Sequence, residues 1–161
     1  MGRYTPPFRN AKDLAKFGPR LEIEVGPPVL PNLKGLAADS NRVSRMPALI
    51  DTGASRTVLT PDAIQRVELP LIQYARMSRA GGMDDKVAVH VASIKFTNQK
   101  LAPIHVLEVF CCELPTQPVQ CLIGRDILSQ WLFVYNGKTG DWWVEEENAV
   151  IFIEPPDDIF G

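Results

Sequence analysis

A small, mainly β domain, closed into an antiparallel β-barrel or sandwich with one or two short helices, is the fold class the sequence predicts. Three observations predict it. Short apolar runs recur at close, regular spacing. Fourteen prolines and eleven glycines are spread along the 161 residues and punctuate those runs. Only two stretches carry a helix signal. The length fits about one domain, and a hydrophobic content of 45% is enough to build its core.

Residues 1–20, with Pro6, Pro7, Gly18 and Pro19, read as an arm rather than a packed element. Leu21-Glu22-Ile23-Glu24-Val25 alternates apolar and charged residues, the period of a half-buried strand, and Pro27, Pro28 and Pro31 stop it. Residues 43–50 form the next strand, strongly apolar at Ala48-Leu49-Ile50 where its end enters the core. Thr57-Val58-Leu59 is another. Thr60-Pro61-Asp62 starts a helix, with an N-cap hydroxyl, proline at the first position and an acid in the first turn. That helix covers about 62–67, because Leu69-Pro70 ends it.

Strands near 72–78 and 86–96 flank Arg79–Asp85, a hairpin with a glycine tip. A strand at 101–110 precedes the Pro115/Pro118 loop, and 119–123 returns to the core. Gly124 to Gln130 forms a second short helix. Leu132–Tyr135 and Trp142–Glu145 are joined by Asn136-Gly137-Lys138-Thr139-Gly140, a strong hairpin turn. Trp142 and Trp143 then point to opposite faces, one into the core and one to surface or interface. Trp131 belongs to the core, His90 to the exposed face of its strand, and Glu145–Glu147 to a solvated turn. Residues 149–153 make a last strand. The organisation is thus a basic arm at 1–20, a folded domain at 21–154 and an acidic tail at 155–161.

A formal charge of −2 gives no global reason to expect nucleic acid or a membrane surface as partner. The charge is uneven, however. Arg3, Arg9, Lys12, Lys16 and Arg20 crowd the first twenty residues, while residues 141–161 carry acids and no Lys or Arg. Two solvated tails, or an arm that crosses to a second subunit, both fit. Cys111, Cys112 and Cys121 are an odd count without paired metal-ligand spacing, so buried unreactive thiols are expected, with no metal and no cofactor. The start of the chain lacks the apolar run of a signal peptide, and no stretch is long enough to span a bilayer. A reducing cytoplasm is the expected compartment.

The candidate chemistry sits at Ala48-Leu49-Ile50-Asp51-Thr52-Gly53-Ala54-Ser55 and, downstream, at Leu122-Ile123-Gly124-Arg125-Asp126-Ile127-Leu128. A dry strand fixes the Asp51 carboxylate and limits competing solvation. Thr52 can turn its hydroxyl and N–H toward a twin loop. Gly53 lets backbone approach the carboxylate without a Cβ, and Ala54 is small enough for a substrate strand to lie beside it.

These residues resemble the retropepsins, the single-domain, homodimeric aspartic proteases of retroviruses and of bacteria and eukaryotic cells. The likeness covers about residues 44–136. The short helix after the Asp51 turn and the Val134–Gly140 hairpin look more like the bacterial members. The resemblance implies a closed barrel of the acid-protease type, with Asp51 as catalytic aspartate and Thr52 as the lock between subunits. It implies that Gly53 and Ala54 bind substrate backbone, and that Gly81, Gly82 and Met83 lie on a mobile flap that covers the peptide. Leu122 and Ile123 would line the floor. Gly124, Arg125 and Asp126 would be structural, with Arg125 bracing the loop.

Peptide hydrolysis needs an activated water and protons for the carbonyl oxygen and the leaving nitrogen. Two carboxylates held close enough to share one proton supply all of these, which places activity at acidic to mildly acidic pH. The chain has one Asp-Thr-Gly, so the second carboxylate must come from a second copy. The expectation is therefore a homodimeric aspartic endopeptidase acting on peptides. The alternative is a catalytically silent dimeric module that binds extended peptides in the same groove, and a third reading is an adaptor working through the charged ends. Three departures from the viral pattern stand out. The flap carries Asp84 and Asp85 where the viral tip is apolar or glycine-rich, so flap closure or substrate preference is expected to differ. Ser55 and Arg56 replace an acid available to Arg125, leaving Asp126 or another acid as its partner. The viral C-terminal dimer strand has no clear match, so the Trp142-Trp143 strand or residues 149–153 would replace it.

Overall fold

A computed structural model of the chain describes residues 2–7, 10–29, 42–78, 82, 84–98, 100–115 and 118–146. Seven strands form one sheet: β2 (Arg20–Gly26), β3 (Ser44–Ile50), β4 (Val58–Leu59), β5 (Leu71–Ser78), β6 (Asp84–Phe96), β7 (Ile104–Cys111) and β8 (Cys121–Ile123). The order β2-β3-β8-β4-β7-β6 is closed by a further pairing of β6 with β2. β6 makes closure possible by its length. Its first part pairs with β5 as a hairpin, and Ser93–Phe96 pairs with Gly26–Ile23 of β2. The mainly β closed barrel expected from the sequence is what forms.

Two pairings depart from the antiparallel expectation. β3 runs parallel to β8, and β4 runs parallel to β7. Parallel neighbours need a long crossover between them, and the chain from the end of β3 to the start of β8 supplies it.

The interior explains the alternation of the strands. Leu21, Ile23 and Val25 of β2, Met46, Ala48 and Ile50 of β3, and Ile94 and Phe96 of β6 meet inside the barrel. The helix α2 (Pro61–Val67) adds Ala63, Ile64 and Val67. Its start is the expected one: the Thr60 side chain accepts a hydrogen bond from the Ala63 N–H.

The first twenty residues differ from the expected arm. β1 (Arg3–Tyr4) pairs with β10 (Asp141–Glu146), which pairs with β9 (Trp131–Asn136) in a three-stranded sheet. The helix α1 (Ala11–Phe17) is capped by the Asn10 side chain, which accepts from the N–H groups of Lys12 and Asp13. Leu14 is buried in the main core, together with Trp142 and Val144 of β10. Gly140, at φ +80°, lies so close to α1 that a Cβ would stand 2.5 Å from the Ala11 nitrogen. A seven-residue helix with one buried position has no apolar periodicity to read, and the prolines before it pointed to irregular chain.

Trp142 is the buried member of its pair. Trp143 is half-buried with the Arg3 guanidinium 4.4 Å from its ring centre. Trp131 is half-buried, edge-on to Phe96. Glu145 and Glu146 belong to β10 rather than to a solvated turn, and the Glu146 carboxylate accepts from the Ala102 N–H at 2.9 Å. His90 is half-buried, with Nδ1 3.0 Å from the Leu69 carbonyl oxygen. The strand expected at 149–153 and the tail at 155–161 lie outside the described residues. No helix among the described residues is long and apolar enough to cross a membrane.

Because α1 is part of the core, Leu14→Ala is expected to lower stability by about 2–4 kcal/mol, while the exposed Lys12→Ala changes it by less than about 0.5 kcal/mol. Urea unfolding of the two variants checks this. Equal, negligible effects would mean that the segment does not pack.

Candidate active site

In the parallel pair β3/β8, Ile50 stands opposite Ile123. Parallel strands finish at the same end of the sheet, so Asp51 and Gly124 leave side by side despite their distance in sequence. The Asp51 N–H donates to the Ile123 carbonyl at 3.0 Å and continues the ladder by one bond. The chain then turns. The Ala54 N–H donates to the Asp51 carbonyl at 3.2 Å, and the Gly53 N–H donates to Asp51 Oδ1 at 2.9 Å. A Cβ on Gly53 would stand 3.1 Å from that same oxygen, which is the close approach expected of this glycine. Asp51 and Ala54 are half-buried, and Thr52 and Gly53 are exposed.

The segment after β8 clamps this turn from below. The Arg125 N–H donates to the Ala54 carbonyl at 2.9 Å. Arg125 Nη1 donates to the carbonyls of Thr52, at 2.9 Å, and Gly53, at 3.2 Å. The partner of Arg125, expected to be an acid, is thus the backbone of the Asp-Thr-Gly turn itself. Carbonyls bent outward by the turn have no strand to pair with, and the guanidinium satisfies two at once.

Asp126 does different work. Its Oδ2 accepts from the Thr57 N–H at 2.9 Å, and its Oδ1 accepts from the Thr57 hydroxyl at 2.8 Å. The same hydroxyl accepts from the Gly124 N–H at 3.2 Å. Thr57 is fully buried, so each of its polar groups needs a partner inside the protein. Gly124 has no room for a side chain: a Cβ would sit 2.5 Å from the Arg56 carbonyl carbon. Thr57 was read only as a strand residue. The signal was available, since it is the polar member of a short apolar run bound for the core.

The strands here have two apolar faces. Ala48, Ile50, Leu59, Cys121 and Ile123 face the barrel interior. Leu49, Val58, Val87 and Leu122 face the other way, into a second cluster that includes Met77 of the β5/β6 hairpin. Of the two expected floor residues, Leu122 therefore lies on this outer face. Ile123 is fully buried inside the barrel and contributes its carbonyl to Asp51 instead. Asp51 continues the row of Leu49 by strand alternation, on the side where the hairpin packs. Gly82 is exposed at φ +80°, with open space where a Cβ would be. Gly81 and Met83 lie outside the described residues.

None of the three cysteines forms a disulfide, and Cys112 and Cys121 are buried. Burial pushes the Cys121 thiol far up from its ordinary range, and the Asp126 carboxylate pushes the same way. No group of three or more metal-ligating side chains comes together among the described residues.

The closed barrel thus delivers one Asp-Thr-Gly turn, braced by a Gly-Arg-Asp segment from the neighbouring strand, which is the arrangement the aspartic-protease resemblance implies. Comparison with known families agrees: residues 36–130, more than half the chain, match the family described as "gag-polyprotein putative aspartyl protease". The chain belongs to this family of retropepsin-like aspartic proteases. Among solved structures, it is similar to EIAV protease in complex with an inhibitor, at 19% identity over 78% of this chain and 90% of that one, with a TM-score of 0.48. It is also similar to a retropepsin-like aspartic protease from Rickettsia conorii, at 18% identity over 62% of this chain and 73% of that one, with a TM-score of 0.47. No curated protein matches the chain.

Two outcomes follow from this geometry. Asp126→Ala strands the buried Thr57 N–H and hydroxyl and is expected to cost about 2–4 kcal/mol in urea unfolding, with Asp126→Asn costing less because the amide can keep part of the network. In thiol alkylation at alkaline pH, Cys121 is expected to stay unmodified in the folded chain and to react on unfolding. Rapid labelling of native Cys121 would contradict its burial.

Proposed function

We propose that the chain is an aspartic endopeptidase that works as a homodimer in a reducing cytoplasm, with Asp51 from each subunit forming the catalytic pair. The observation that carries this reading is the Asp51 carboxylate at the end of a buried strand, held by the Gly53 N–H on a turn whose carbonyls are tied down by Arg125. A rigid carboxylate on a solvent-facing turn is preorganised for chemistry, and a lone one lacks the partner with which to share a proton.

Across a twofold axis, two such turns bring two carboxylates together with one proton between them. The ionised carboxylate takes a proton from water as its oxygen attacks the peptide carbonyl carbon. The protonated one gives its proton to the carbonyl oxygen, forming a gem-diol. Collapse of that species breaks the C–N bond as the proton held by the first carboxyl passes to the leaving nitrogen and a gem-diol hydroxyl returns its proton to the second carboxylate. Thr52, exposed beside Asp51, serves as the contact between the two turns. Gly53 and Ala54 leave room for substrate backbone. The β5/β6 hairpin, which carries the Gly81-Gly82-Met83 sequence, covers a peptide held as an extended strand over Leu122.

Three readouts test this. Molecular mass in solution is expected to be that of two chains. Cleavage of a mixed peptide library is expected to be bell-shaped in pH, with its maximum on the acidic side of neutrality. Asp51→Asn is expected to keep mass and fold while lowering kcat/KM by about a thousandfold or more. An Asp51→Asn variant as active as the wild type would overturn the mechanism, and peptide binding without turnover would leave the silent binding module in its place.

A further inference from the structure

We infer that Arg56 reads an acidic side chain of the substrate, so that the site prefers peptides carrying Asp or Glu beside the cleaved bond. The inference rests on the peptidase reading above and names the substrate class of that same site.

Its basis is the contrast between the backbone of Arg56 and its side chain. The backbone is held on both sides: Ala54 by the Arg125 N–H at 2.9 Å, and Thr57 by both oxygens of Asp126. It also packs so tightly on Gly124 that a Cβ there would lie 2.6 Å from the Arg56 carbonyl oxygen. The side chain, by contrast, is exposed and makes no hydrogen bond or ion pair among the described residues, whereas the neighbouring Arg125 donates to two carbonyls of the turn. The clamped backbone fixes the point from which the guanidinium reaches, and its planar fork matches a carboxylate.

Its place follows from the chain on either side of it. Arg56 sits in the bend between Ala54 of the Asp51 turn and Val58 of β4, whose side chain joins the second apolar cluster with Leu122, Val87 and Met77. Its exposed side chain therefore leaves the chain between the carboxylate's turn and that cluster. Leu49 belongs to the same cluster, and Asp51 continues its row. A peptide that reaches the Asp51 carboxylate meets the Arg56 cation five residues further along the same segment. The Asp126 carboxylate is occupied by Thr57, Asp62 is paired with Arg66, and Asp85 on the hairpin, opposite Met77, is itself engaged. Twofold symmetry would place one Arg56 on each side of the cleaved bond.

The test uses the full-length chain and a set of otherwise identical peptides with Glu, Gln or Lys scanned one position at a time on either side of the bond found to be cleaved. At one position on at least one side, kcat/KM is expected to favour Glu over Gln by about tenfold, as a charge-assisted contact does, and to lose that ratio in high salt. Arg56→Gln is expected to flatten the ratio, and Arg56→Glu to invert it toward Lys, a gain that misfolding cannot produce. The same peptides are titrated by fluorescence anisotropy against Asp51→Asn, so charge selectivity is read even if no turnover occurs. Absence of cleavage with Glu-selective binding overturns the peptidase reading alone. Cleavage or binding indifferent to charge, or a Glu preference that survives Arg56→Gln, overturns the role of Arg56.

Discussion

The carboxylate of Asp126 is the fixed point of this site. Its two oxygens accept the N–H and hydroxyl of Thr57, and that hydroxyl in turn accepts from Gly124. Three polar groups are thereby removed from water with their hydrogen bonds intact, which is the condition under which burying them costs little. The same bonds tie the chain leaving the Asp51 turn to the chain leaving β8. Without them, Arg125 would have no defined position from which to reach the Thr52 and Gly53 carbonyls. An apolar pair at 57 and 126 could fill the space but could not fix direction, because dispersion has no preferred angle. The clamp sets geometry more than it adds stability.

The barrel separates stability from chemistry by using the two faces of the same strands. Side chains at 48, 50, 59, 121 and 123 close the interior, while 49, 58 and 122 lie beneath the β5/β6 hairpin. Period-two alternation makes this division automatic once register is set, and the parallel match of Ile50 with Ile123 sets it. A slip of one residue between β3 and β8 would turn Leu122 inward and Ile123 outward, and would break the bond from Asp51 to the Ile123 carbonyl. The apolar packing of the interior therefore guards the position of the carboxylate.

Much of this was legible in the chain. Leu21–Val25, the Thr60-Pro61 helix start and the Asn136–Gly140 turn carry their signals within a few residues, and each formed where local chemistry placed it. Asp51 and Gly124 stood out because apolar residues lead directly into both turns. What was not legible depends on partners distant in sequence. Closure of the ring through β6 and β2 is a long-range pairing that no window contains. The helix α1 is short, and its stability comes from Leu14 meeting Trp142 and Val144, not from its own pattern. Arg125 was matched with an acid because charge is visible in a sequence, whereas the free carbonyls of a turn are visible only once the turn has formed.

The proposed assembly adds a carboxylate to a half-site already built. The interior is filled by one chain, α1 and β1 pack onto it from the same chain, and no buried side-chain nitrogen or oxygen among the described residues lacks a hydrogen-bond partner. Folding and pairing are then separable. A subunit holds Asp51, its turn and its floor in place before meeting a second copy, so association does not have to supply the order that catalysis needs. What it must supply is the cost of bringing two like-charged turns together. The shared proton lowers that cost, because a pair with one proton carries half the charge of two ionised acids. In the proposed dimer, assembly and protonation are therefore coupled: acid pH would favour the pair and its reactive form together, and a single subunit would be a folded half-site.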